Sequence, residues 1–342
     1  GALPAGAAGG LFIGQGAFSQ IVETARMAMP KLPVYFEQAR SALLGIAFSA
    51  RVSQDAVMVD MAEAVDMEAL SAIPDMPLQA IPEGALGVRL ADVLPEGTVM
   101  VLVGLDVNAL WDNYNASLYS LEQLAPMYDD LLTRYRTYRG PSFSAVLRFV
   151  QHLPNWFERL FLLNIENDLL SWMSGEYGVA LVPMSGEALT GRTSRFPFDL
   201  VAMVEVTDEE AAAATLDTFN ESLSALGFSF DTDRIDDVEV YTSRLARRER
   251  LAVSWALADG FGLVGTDRSV EKVLDTAEGR VGALAENPRL TDAIIRLGGP
   301  GQTLLFFDVA GFMPLLQETL PEGAAARFRR NVAPALSAFD SL

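Results

Sequence analysis

"LPEGTVMVLVGLDVNAL" fills residues 94–110, and "GPGQTLLFFDVAGFM" fills residues 299–313. Each stretch runs from a Pro/Gly turn through a Thr into a short apolar run that ends on Asp-Val. A turn, a buried strand and an Asp-led entry into a helix are therefore written twice in one chain. The pattern predicts a duplicated backbone design, with Asp106 and Asp308 as caps or turn acceptors and not as catalysts.

Outward from the first copy, residues 107–172 read as helical and carry many aromatic side chains, among them Trp111, Tyr114, Tyr128, Trp156, Phe161 and Trp172. Two strands follow, "GEYGVALVPM" (175–184) and "FDLVAMVEV" (198–206). The clearest helix is "TDEEAAAATLDTFNESLSALG" (207–227). Thr207 or Asp208 is its N-cap, acids fill its first turn, and Leu216, Phe219, Leu223 and Leu226 form its apolar stripe. Gly227 suits the position just past its end. "VEVYTSRL" (238–245) and "LAVSWALADGFGLVGT" (251–266) read as strands, the latter turning at Asp259-Gly260. Asp267 is then expected to cap the helix that follows. This order predicts an α+β fold of duplicated units, with largely antiparallel sheets packed against helices and no doubly wound βαβ series.

The N-terminal part reads differently. Residues 1–22 carry no charge and six glycines, and with Pro4 they argue against a transmembrane helix. A basic signal-peptide start and an initiator Met are absent, so the chain is expected to begin after processing or after a missing segment. We read residues 1–22 as a Gly/Ala-rich arm that packs on its own body or inserts into a neighbour, with Leu11, Phe12, Ile13 and Phe18 as assembly contacts. Helices are expected at residues 19–29 and 34–44, and a hairpin at 45–53 and 56–65. Pro74, Pro77 and Pro82 mark residues 67–93 as a connector. "FEQARSALLGIAFS" (36–49) echoes "FRRNVAPALSAFDS" (328–341). Residues 1–66 thus read as the tail of a repeat, 94–295 as the main α+β unit, and 296–342 as the start and partial tail of a second. On this reading the chain is cut from a longer repeated protein, or lacks a final hairpin that something else supplies.

Composition narrows the chemistry. A length of 342 residues suits two domains, and 50% hydrophobic residues argue against disorder. A formal charge of -20, with Lys31 and Lys272 as the only lysines, repels phosphate backbones and anionic membrane surfaces alike. The absence of cysteine removes disulfides, thiolate metal sites and cysteine nucleophiles, and leaves the compartment open.

The only histidine, His152, has no Gly-x-Ser-x-Gly elbow beside it and reads as a helix-end or packed residue, which leaves a serine hydrolase without its base. "DTDRIDD" offers Asp231, Asp233, Asp236 and Asp237 as a calcium loop, but Asp236 stands where such a loop needs Gly and Thr242 where it needs Glu. A solvated turn between strands is the default. "GQGAFS" (14–19) has two glycines of a dinucleotide fingerprint and no βαβ frame around it. No cofactor, metal or catalytic residue is expected.

The segments "LPEGTVMVLVGLDVNAL", "SGEYGVALVPM", "FPFDLVAMVEVTDEEAAAATLD", "VEVYTSRL" and "LADGFGLVGTDRSVEKVLDTAEG" together resemble the bacterial envelope family named domain of unknown function 3352. The resemblance covers about residues 33–342. It implies an exported or membrane-tethered protein, and it carries no activity or catalytic residue across. The chain departs from the family pattern in lacking an N-terminal anchor and the final strands.

Three functional readings follow. The first is a non-enzymatic exported scaffold or cell-surface protein, extracellular in setting, that forms a homo-oligomer or surface assembly through its N-terminal arm, with any tether outside this chain. The second is a periplasmic or extracellular carrier that encloses an apolar ligand such as a lipid or pigment. The third is a carboxylate-dependent hydrolase, which requires a cleft with two acids of split pKa.

Overall fold

The structure is a computed structural model. It describes residues 7–14, 20, 23, 43–52, 57–66, 68, 84, 86–134, 142–184, 197–244, 252–266, 268–297, 299–319 and 322–331. The chain divides into two compact units, residues 1–80 with 109–155 and residues 81–108 with 156–342.

In the first unit, β1 (Ala7–Gly14), β2 (Leu43–Val52) and β3 (Val57–Val65) form an antiparallel sheet in that order. The hairpin expected from the alternating text is present, with Val52 opposite Val57. Leu11, Phe12 and Ile13 lie in β1 opposite Phe48, Ala47 and Ile46, so their backbone belongs to the chain's own sheet. Phe18 and most of both expected N-terminal helices lie outside the described residues. The expected long helical region is three pieces: α2 (Val107–Arg134), α3 (Phe143–Phe161) and, in the second unit, a π-helical turn at Ile165–Leu169. Within the first unit α2 caps α3, because the Asp129 carboxylate accepts the Phe143 N–H at 2.5 Å and the Ser144 N–H at 3.3 Å. Tyr114 donates its hydroxyl to the Val150 carbonyl at 3.1 Å, which ties the helices further along.

The second unit is built on an eight-stranded antiparallel sheet. Its strands are β4 (Met100–Leu105), β5 (Met173–Pro183), β6 (Phe198–Val206), β7 (Phe230–Ile235), β8 (Val238–Arg244), β9 (Ala252–Ala258), β10 (Phe261–Thr266) and β11 (Thr303–Phe307). Their spatial order is β11-β4-β5-β6-β10-β9-β8-β7. The expected units 94–295 and 296–342 therefore share one sheet. β11 is the antiparallel neighbour of β4, with Leu305 opposite Leu102, so the two copies of the duplicated sentence lie side by side.

Alternation sorts the sheet into two faces. Val101, Val103, Ala180, Val182, Val201, Met203, Leu263, Leu304 and Phe306 are buried on one face. Against this face pack α1 (Leu90–Val93), within the expected connector, and α5 (Ser269–Ala277), which buries Val270, Val273 and Leu274. Each such Val or Leu contributes about 1.5–3 kcal/mol through burial.

On the other face sits α4 (Glu209–Ala225). Its ends are as the sequence predicts: Asp208 accepts the Ala211 N–H at 3.0 Å, and Glu209 and Glu210 complement the helix dipole. Gly227 takes φ +84° while the Phe228 N–H closes on the Leu223 carbonyl, a Schellman ending. The β9–β10 hairpin turns at Asp259 and Gly260, both with positive φ, the two-residue turn that matches strand twist. The remaining helices are α6 (Pro288–Leu297), α7 (Val309–Thr319) and α8 (Glu322–Asn331). Among the described residues, no helix is long and apolar enough to cross a membrane.

Candidate functional site: an apolar cleft in the second unit

The motif residues of the sequence do structural work in this unit. The Glu176 carboxylate is buried and accepts the Val88 N–H at 2.6 Å and the Leu90 N–H at 3.3 Å. It thereby holds the start of α1, where Val88 carries a φ of 57° that a β-branched residue seldom adopts. Asp106 accepts the Asn108 N–H at 2.9 Å. Asp308 caps α7 by accepting the Gly311 N–H at 2.9 Å and is gripped by Arg289 Nη1 at 2.6 and 2.7 Å. Both aspartates therefore serve as turn and cap acceptors, as expected.

The acidic stretch contains the expected solvated turn between strands, in a shorter form than the sequence suggested. Asp231 and Asp233 lie on strand β7, and only Asp236 and Asp237 form the turn, Asp236 with φ 54°. Asp236 pairs with Arg280 at 2.8 Å and Asp237 with Arg234 at 3.2 Å. No group of three potential metal ligands occurs among the described residues, so nothing there gathers the four aspartates on a cation. His152 is exposed in the middle of α3, neither at its end nor packed. Asp267 lies outside the described residues; Arg268 stands at the N-cap position just before α5 and holds Glu271 through two 2.6 Å contacts.

Sequence reading missed one buried ion pair. Lys272 Nζ lies 3.5 Å from Asp199 Oδ2 and also donates to the Pro183 carbonyl. Burial holds the Lys272 amine below its ordinary pKa, with Asp199 pulling the other way. The available signal was that Lys272 is one of only two lysines in an arginine-rich chain.

Where helix α4 faces the sheet, the packing leaves a cleft of about 370 Å³. Its floor is the second face of β6, β10 and β9, from which Ala202, Val204, Gly262, Val264, Trp255 and Leu257 project. Its roof is the α4 stripe, Ala212, Thr215, Leu216 and Phe219, and its end wall is Phe157, Leu163, Leu169, Trp172 and Met173. Phe219 meets Trp255 edge to face at 5.8 Å, and Phe161 meets Phe219 at 4.8 Å. Gly262 keeps the floor low, since a Cβ there would stand 3.3 Å from Val204 Cγ1 and 3.6 Å from Trp172 Cζ3.

The polar side-chain atoms of Trp172, Thr215 and Trp255 on this wall are engaged from behind. Trp172 donates its indole N–H to the Asp168 carbonyl at 2.6 Å and lies 3.1 Å from Thr215 Oγ1. The Thr215 hydroxyl has the Asp168 and Ala211 carbonyls at 2.8 and 2.9 Å. Trp255 donates to Asn220 Oδ1 at 2.9 Å. The indoles are thus fixed by their polar edges and offer only ring faces to the cavity. Among the described residues that line it, none has a titratable side chain to act as proton carrier. What it can do is take hydrocarbon out of water. A second depression of about 350 Å³ has Glu209 and Asp259 on its rim, but Glu209 belongs to the first turn of α4 and Asp259 to the β9–β10 turn.

The fold and cleft define an α+β protein whose antiparallel sheet is covered on one face, carries α4 over part of the other, and holds an apolar cavity beneath that helix. The family described as "Protein of unknown function (DUF3352)" matches residues 141–342, more than half of the chain, and the chain belongs to that family. No curated protein and no solved structure matches it.

Proposed function

We propose that this protein binds and carries an apolar small molecule in the cleft between α4 and the sheet. The observation that supports this reading is the cleft itself: about 370 Å³ walled by aliphatic and aromatic side chains, with its few polar side-chain atoms satisfied by the protein. This volume lies in the range of small-molecule sites, and the preformed wall lowers the ordering cost of binding. An extracytoplasmic setting is part of the proposal and rests on motif resemblance. The hydrolase reading finds no support in this cleft, where no carboxylate is among the described lining residues.

The test is native mass spectrometry of protein purified from its own host without detergent, with solvent extraction of the same sample. A bound apolar species in stoichiometric amount supports the proposal. Protein that carries nothing, and that takes up no hydrophobic probe into the Trp172–Trp255 cleft, contradicts it.

The scaffold reading keeps one observation of its own. β11 is an edge strand whose outer side is unpaired among the described residues, and such an edge invites strand addition. Sedimentation velocity across a concentration series tests it, and a strictly monomeric protein counts against it.

A further inference from the structure

We infer that the ligand of the cleft is an elongated hydrocarbon chain, with one end among Trp172, Phe219 and Trp255 and the remainder laid across the open part of the same sheet face. This rests on the carrier reading above and names the class of molecule carried.

The register of the sheet carries the inference. Trp255 stands opposite Val264, Val264 opposite Ala202, Ala202 opposite Val179, Val179 opposite Leu102, and Leu102 opposite Leu305. Directly opposed residues of antiparallel strands project from the same face. These six side chains therefore form one apolar row running across the strands. At one end the row is the cleft floor, since Trp255, Val264 and Ala202 line the cavity. From Val264 outward it is open: Val264 is 52% exposed, Leu102 40% and Leu305 65%. At about 4.8 Å per strand, the four steps from Val264 to Leu305 span roughly 19 Å.

A second row runs beside the first. Leu200 stands opposite Leu181, Leu181 opposite Met100, and Met100 opposite Phe307, with Leu200 and Phe307 both exposed. Neither row contains a charged side chain, and the backbone polar groups between them are paired within the ladders. These two apolar rows are flanked by the Tyr177 ring over Gly104 on one side and by Phe312 against Phe198 and Phe307 on the other, which makes the track longer than it is wide and suits it to a chain better than to a compact ring. Val264 belongs to both cavity and track, so a ligand longer than the cavity continues onto the track without crossing a polar barrier. The charge of -20 favours a neutral or zwitterionic head over an anionic one.

Lysophosphatidylcholines with octanoyl, lauroyl and palmitoyl chains, each below its micelle threshold, test this by calorimetry on wild type, Leu305→Glu and Leu102→Gln. Affinity is expected to rise at least about tenfold from octanoyl to palmitoyl in wild type, because each added methylene finds apolar surface. Both variants should lose most of that gain while binding octanoyl within about twofold of wild type. Octanoyl binding without any gain from chain length, or a gain that survives both substitutions, overturns the inference and leaves the carrier reading standing. Failure of every chain to bind wild type overturns both. If Leu305→Glu instead splits a dimer and leaves lipid binding unchanged, the face is a contact between copies and the inference falls.

Discussion

Lys272 Nζ and Asp199 Oδ2 lie 3.5 Å apart under the sheet, with the Asp199 side chain only 2% exposed. Removing one partner leaves the other charge buried without compensation. Lys272→Met should therefore cost about 3 kcal/mol. The double variant Asp199→Leu with Lys272→Met should recover most of that loss. Urea denaturation of the two singles and the double measures this. Additive losses would show that the pair is not coupled.

Asp129 is a remote N-cap for α3. The Ser144 side chain holds its carboxyl below the ordinary 3.8; burial, next in size, opposes this, and the Phe143 and Ser144 backbone N–H groups add to the lowering. A group lowered in the folded state stabilises fully above its unfolded value and loses that contribution as pH falls through its folded one. Asp129→Ala should thus cost about 1 kcal/mol near neutral pH and nothing in strong acid. Thermal melts at both pH values check the difference.

Tyr241 gives the opposite limb. Burial first, then the hydrogen bond to Glu239 at 2.9 Å and nearby carboxylate charge, push its hydroxyl up to about 12 from 10.0. A raised value in the folded state means stability that is complete below pH 10 and lost as pH rises toward 12. Tyr241→Phe should flatten the stability profile in that window, as read by circular dichroism. An unchanged alkaline slope would contradict the assignment.

Val264 stands at the mouth of the cleft, half in solvent. Val264→Trp should plug the mouth and abolish uptake of an apolar probe. Stability should move by no more than about 0.5 kcal/mol, since an aromatic suits a strand surface. Retained uptake in a folded variant would place the ligand elsewhere.

What the sequence made legible was local. The ends of α4 could be read residue by residue because caps act within one turn, and Asp208 and Gly227 take their expected places. The β9–β10 turn was legible for the same reason, since Asp259-Gly260 suits the positive φ at both positions. β7 was not legible: "FDTDRI" is wet along most of its length and shows no apolar alternation. It is a strand because it pairs with β8, Thr232 opposite Tyr241, at the sheet's edge, where charge is tolerated. The duplicated sentence was visible, but its consequence, β4 and β11 as neighbours in one sheet, depends on long-range pairing. The cleft was hidden for a related reason. Trp172, Phe219 and Trp255 come from three distant elements, and each alone reads as core.

The central claim is that an apolar ligand sits against Trp172 and Trp255. Those two indoles are the only emitters left when Trp111 and Trp156, the other two of the four tryptophans, are replaced by Phe. In that background, titration with a chain-brominated neutral lipid measures direct contact. Saturable quenching that Val264→Trp removes is the predicted result, after allowance for the added indole. Emission that stays unchanged, or falls in proportion to added lipid without saturating, would contradict the account.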